Sequence, residues 1–297
     1  MVIALAALAS LTVFGKGITK TLMDLCRESE LIVVAEVIRS TPLRENNGPD
    51  EGCAVLKINT TVKGEADADT ISCYYWTRII CPSPPNFIEG STVLAFLNKR
   101  NDNDGYYTLG DGFGAKTLSN EGLDIYLARI KEALNILKTS DRTDDEIIEW
   151  VVRCAEESVT RWEGVYELYR NSGMAKQFPD SCVNYSKKLT SDQVARLYDI
   201  VLQTDYFASP ESWIIGAIRE SADDRLASLL IKCLKGEVQY SSQFTSEMMT
   251  LISEIRAIPE GYRLVEEYKA LIKDDSWRIK SQTIIDEFIN LSETAIR

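Results

Sequence analysis

Near residue 122 the chain changes the period of its hydrophobic pattern. Before that point apolar residues come in short runs or alternate with polar ones, broken by clusters of Gly, Pro and Asn. After it they recur at helical spacing to the end. A polypeptide that switches period once reads as two structural halves, a small β half followed by an all-helical one, and so as an α+β multidomain chain. Its 297 residues accommodate two ordinary domains, and 45% hydrophobic with 26% charged residues is a globular composition.

The β half opens with a helical segment from Thr19 to Ser29, in which Leu22, Leu25 and Cys26 share a face. The run Leu31 to Ile38 is dense in β-branched residues and reads as a buried strand. Asn46 to Asp50 is a loop by composition. Leu56, Ile58 and Val62 then alternate with Lys57, Asn59 and Lys63, the pattern of a half-buried strand. Further strands are expected over Thr70–Trp76, Thr92–Leu97 and Tyr106–Leu109, with Cys81 to Pro85 between them as a proline-rich loop that no ladder can contain. Five short strands with turn signals between them suggest a small closed barrel or a sandwich.

In the helical half, Leu123, Tyr126, Leu127, Ile130, Leu134 and Leu137 mark the first helix. Thr143 with Glu146, and Thr190 with Gln193, are capping boxes, and Ser209 stands before Pro210 at a helix start. Helices are expected over 123–138, 144–157, 160–171, 191–203, 210–220, 223–235, 243–257, 260–273 and 276–291. Short helices joined by tight turns build helical-hairpin arrays, although no strict repeat period survives in the residues. The domain reading is therefore 1–17 as a signal peptide, 18–122 as the barrel and 123–297 as the helical domain.

Charge and residue usage narrow the chemistry. A net charge of −12 sets the chain against phosphate backbones and anionic lipid, and no run of Lys and Arg offsets it, so no nucleic-acid partner is expected. There is no histidine, which removes imidazole acid–base catalysis, histidine-containing triads and zinc sites built on imidazole. No metal and no cofactor are expected. The seven cysteines include no C-x-x-C pair; they read either as buried small hydrophobes or as a partial disulfide set of an extracytoplasmic protein. Val2 to Phe14 is an apolar run of signal-peptide length, too short to span a bilayer; the other reading of it is a buried N-terminal helix. The first reading places the protein outside the cytoplasm, secreted or periplasmic, and the second inside. No other segment is apolar and long enough for a membrane span.

Several local patterns resemble reactive sites. Gly110 to Thr117, GDGFGAKT, lacks the spacing of a phosphate-binding loop and reads as a glycine turn closing a barrel strand. Acidic pairs such as Asp144-Asp145 and Asp223-Asp224 are adjacent on helices, point in different directions, and stand where helices start. Cys73 and Cys81 bracket an aromatic strand end and the proline-rich loop, as a candidate disulfide or as two unrelated thiols. Tyr74, Tyr75, Trp76, Tyr106 and Tyr107 are more aromatic surface than the core of so small a barrel needs; they are either a binding surface or an interdomain interface. Trp150, Trp162, Trp213 and Trp277 are expected in the packing between helices.

Ser29 to Val37, Val62-Lys63-Gly64, Cys81-Pro82, Glu89 to Leu97, Gly105 to Tyr107 and Gly112 to Gly114 together resemble the netrin-like, tissue-inhibitor-of-metalloproteinases-like OB-fold domains, over residues 24–118. The animal inhibitors of that class chelate a protease zinc through a Cys-x-Cys opening. Cys26-Arg27-Glu28 lacks the second cysteine, so inhibitory chemistry does not carry over. The second half is loosely similar to HEAT-like repeats at Asp223 to Leu230 and Asp274 to Lys280. The resulting expectation is a non-catalytic protein-binding or scaffold protein of the extracytoplasmic space, with an unidentified protein partner. The alternative is a hydrolase working through carboxylates or thiolates, or a protease-inhibitor-like protein.

Overall fold

The computed structural model describes residues 20–43, 51–77, 83–101, 105–170, 185–204, 209–236, 240–271 and 277–295. The segment expected to be a signal peptide, 1–17, lies outside them. The chain divides into two compact units, one through Thr139 and one from Ser140.

The first unit begins with helix α1, Leu22–Glu28. A capping box starts it: the Thr21 hydroxyl accepts from the Asp24 amide at 3.1 Å, and the Asp24 carboxylate accepts from the Thr21 amide at 3.4 Å. Six strands follow: β1 Leu31–Leu43, β2 Glu51–Lys63, β3 Thr70–Trp76, β4 Thr92–Lys99, β5 Tyr106–Thr108 and β6 Ala115–Thr117. Their order is β1-β2-β3-β5-β4, and β1 pairs with β4 to close the ring; β6 adds to β4. All pairings are antiparallel except β3 with β5. This is a closed five-stranded OB-like barrel.

Its interior is filled by the inward residues of each strand, among them Val33, Ala35, Val37, Ala54, Leu56, Cys73, Val93 and Leu97. On the outer side of β1 and β4, the cross-strand pairs Ile32–Phe96 and Val34–Leu94 are buried as well. So are Leu22 and Leu25 of α1, and Tyr126, Ile130 and Ala133 of helix α2, Asn120–Lys138, which belongs to this unit. All of these lie outside the cluster that fills the barrel, and α1 packs on α2.

β1 runs five residues beyond the expected end at Ile38. A register shift between Val37 and Arg39 leaves Ile38 48% exposed, and the arm beyond it pairs with β2. β6, inside the segment read as a glycine turn, is too short to show any period.

The second unit contains, among the described residues, helices α3 Asp144–Glu156, α4 Arg161–Arg170, α5 Ser191–Leu202, α6 Ser209–Ile218, α7 Asp224–Lys235, α8 Ser242–Ile255, α9 Pro259–Leu271 and α10 Trp277–Thr294. The Thr143 and Thr190 capping boxes both form, and Asp223 caps α7. Helix α3 packs on α4 and α5, α4 on α6, and α5 on α6 and α7; α7 then packs on α8 and α10, and α9 on α8 and α10. Arg196 of α5 ties this stack to α3 through Glu149 and Glu156, at 2.9 and 2.7 Å. Trp150 is buried in α3, while Trp162 stacks on Tyr166 at 4.9 Å and Tyr166 meets Trp213 at 5.9 Å, joining α4 to α6. The Trp277 side chain lies outside the described residues. Among the described residues no helix is long and apolar enough to cross a membrane.

Candidate functional site, an aromatic groove on the barrel

Strand alternation sorts the aromatic residues of β3 and β5. In β3, Ile71, Cys73 and Tyr75 turn toward the interior, and Ser72, Tyr74 and Trp76 turn outward. In β5, Tyr106 and Thr108 turn inward and Tyr107 outward. The parallel register sets Tyr74 beside Tyr107, and Trp76 follows Tyr74 on the same face. Trp76 is 44% and Tyr107 43% exposed, and both line one groove, which makes them a shared exposed apolar patch.

Around these rings is an open groove of about 490 Å³, lined also by Glu51, Arg100, Asn101 and Asp111. That volume falls within the range of sites that take a small ligand or a side chain. Glu51 starts β2 and pairs with Trp76 across the strands. Arg100 follows β4. Its guanidinium lies 4.2 Å from the centre of the Tyr74 ring, and its Nη1 donates to Glu51 Oε1 at 2.8 Å. The charge of Arg100 is thus engaged within the groove wall.

Asp111 differs. It opens the 3₁₀ turn Asp111–Gly114 with a backbone φ of 52°, in the left-handed region, directly after Gly110 at 73°. A side chain on the next residue, Gly112, would bring its Cβ within 2.3 Å of the Ser83 carbonyl oxygen, so the backbone is held close at this point. Burial pushes the Asp111 carboxyl above its ordinary value, and no cation or hydrogen-bond donor among the described residues offsets it.

The five aromatic residues singled out in the sequence therefore separate. Tyr74, Tyr75, Trp76 and Tyr107 line the groove. Tyr75 is also structural: its ring lies over Gly52, its cross-strand partner, where an added Cβ would come within 2.5 Å of it. It also meets Phe87 at 5.2 Å, and its hydroxyl is 2.8 Å from that of Ser40. Tyr106 does not join the groove. It is 2% exposed, packs in the barrel core and donates to Asp67 at 3.0 Å; burial, and then that bond, push its hydroxyl above the usual range. Cys73 is a free, fully buried thiol pushed well up by burial, and Cys81 lies outside the described residues.

Sequence reasoning passed over Glu51, Arg100, Asn101 and Asp111. The signal available was position: each adjoins a turn or loop at the end of the barrel where the aromatic strand terminates. Among the described residues no group of three His, Cys, Asp or Glu side chains is placed to hold a metal ion. Chemically, the groove offers ring faces for stacking and one carboxylate, Asp111, that no group among the described residues pairs.

The fold places the first unit in the class of OB-like barrels, whose β2–β3 face and β1–β2 and β4–β5 loops are the common ligand surface. The groove lies there, between the start of β2, the end of β3 and the residues that follow β4. No protein-family model matches the chain, and no curated protein matches it either.

Proposed function

We propose that this is a non-catalytic binding protein and that the barrel groove is where it holds a segment of a protein partner. The observation that carries the reading is the exposure of Trp76 and Tyr107 beside Tyr74 on one outer face, where the three rings line one groove. Large rings that cover no core are the residue type that dominates partner hot spots. The location of the groove supports a binding role, because OB-like barrels bind ligands at the adjoining β2–β3 face and loops. The net charge of −12, with Arg100 already engaged by Glu51 and Tyr74, argues against a phosphate backbone as the occupant. The helical unit serves in this proposal as a second surface or scaffold.

The barrel topology also supports the resemblance to netrin-like domains, and the apolar run Val2–Phe14 supports an extracytoplasmic location. N-terminal sequencing of the native protein tests the location: a chain starting near residue 18 agrees with it, and an intact Met1 overturns it.

The binding role is tested with Trp76→Ala and Tyr107→Ala in the full chain, by capture of a partner from native extract and by thermal denaturation. Partner capture should fall while the melting temperature stays near wild type. Undiminished capture by both variants would overturn the proposal.

A further inference from the structure

Resting on that reading of the groove, we infer that the group recognised there is a cationic side chain of the partner segment, an arginine or a lysine, set against the exposed rings of Trp76 and Tyr107 with its charge on the Asp111 carboxylate. Three observations converge. The rings present π faces, which attract cations that lie over them. Of the two carboxylates lining the groove, Glu51 is paired with Arg100 at 2.8 Å, whereas Asp111 has no partner among the described residues. Asp111 is also partly buried and held in a left-handed backbone, between one glycine at positive φ and another packed against the Ser83 carbonyl.

A carboxylate in that state bears a desolvation cost with nothing among the described residues to offset it, and a bound cation would offset the cost. The groove already shows the same chemistry once, in the Arg100 guanidinium over the Tyr74 ring with its charge on Glu51. The inferred ligand group repeats that arrangement on Trp76, Tyr107 and Asp111. An anionic segment would be repelled by Asp111, and a neutral donor would make a weaker bond to it than a cation does.

The test uses the full chain, immobilised, and a displayed library of short random peptides. Selected sequences should carry Arg or Lys at one fixed position. A synthetic peptide of that sequence and its Arg→Gln or Lys→Gln counterpart are then titrated by calorimetry against wild type, Trp76→Ala, Tyr107→Ala and Asp111→Asn. Both ring variants should abolish binding. Asp111→Asn should weaken the cationic peptide by about tenfold and leave the Gln peptide unchanged, a coupling that a merely structural role would not produce. Asn adopts the left-handed backbone as Asp does, so the variant should keep the fold; Asp111→Gly, free of any φ constraint, is the second variant and should show the same loss.

If ring-dependent peptides are selected but bind equally well with Gln in place of the cation, or if Asp111→Asn weakens both peptides alike, the cation inference is wrong and the groove reading stands. If no selected peptide depends on Trp76 or Tyr107, both are wrong.

Discussion

The barrel has two outer faces on which large apolar side chains stand side by side across neighbouring strands, antiparallel on one and parallel on the other. On β1 and β4, Ile32 stands beside Phe96 and Val34 beside Leu94, and all four are buried. On β3 and β5, Tyr74 stands beside Tyr107 with Trp76 next to them, and the last two are more than 40% exposed. The first unit contains α1 and α2, each with a buried apolar side, and among the described residues Trp76 and Tyr107 on the second face stay uncovered. The two faces also differ in chemistry. The covered face is aliphatic with one Phe, while the open face carries rings with a polar atom, at home where one side is apolar and the other wet. The difference separates apolar surface that serves folding from apolar surface that stays available for a partner.

Substitutions on the two faces should therefore have opposite profiles. The largest effect is expected from Phe96→Ala, which removes a fully buried ring from the covered face and should cost roughly 3–5 kcal/mol in chemical denaturation, with groove binding kept wherever the protein remains folded. A cost under about 1 kcal/mol would show that the buried face of β1 and β4 is not a packed core.

Tyr75 sits between the two regimes, since it lines the groove but packs on Gly52 and Phe87. Tyr75→Ala should cost about 2 kcal/mol or more, by the same measurement, through lost packing and the lost contact with Ser40. Tyr107→Ala should change stability by no more than about 0.5 kcal/mol while partner capture falls. Should Tyr107→Ala prove as costly as Tyr75→Ala, the open face would be structural and the contrast would fail.

The smallest effect is expected at Asp111, and it has the reverse sign. Burial raises the folded-state pKa of this carboxyl, so its contribution to stability is present below the unfolded value and is lost as pH rises through the folded one. At neutral pH the ionised Asp111 is a burden on the fold. Asp111→Asn should raise the melting temperature at about pH 7 and make no difference at about pH 3, where Asp111 is protonated in both states. A lower melting temperature for the variant at neutral pH would mean that the carboxylate has an internal partner.

Much of this architecture can be read without coordinates. The alternating and β-branched runs mark the five barrel strands, and Thr143 with Glu146 and Thr190 with Gln193 mark helix starts, because both signals depend on neighbours along the chain. The same signals fail where the cause is nonlocal. The outer arm of β1 past Ile38 exists because β2 lies alongside it, and β6 exists because β4 has a free edge there; neither has a period of its own. Sequence also marked the aromatic cluster at Tyr74 to Trp76 and Tyr106-Tyr107 as a surplus over core needs.

The sequence by itself determined that surplus, the two-part α+β plan and the absence of imidazole chemistry, all properties of composition and local spacing. Only the tertiary structure decided which rings face solvent. Side-chain alternation along a strand is known from sequence, but which phase points inward is set by barrel closure and by the Tyr74–Tyr107 register, contacts between residues far apart in the chain. The same closure turned Tyr106 into the core and left Trp76 outside. It also brought Glu51, Arg100 and Asp111 to one groove from three separate stretches of the chain, a meeting that no local spacing encodes.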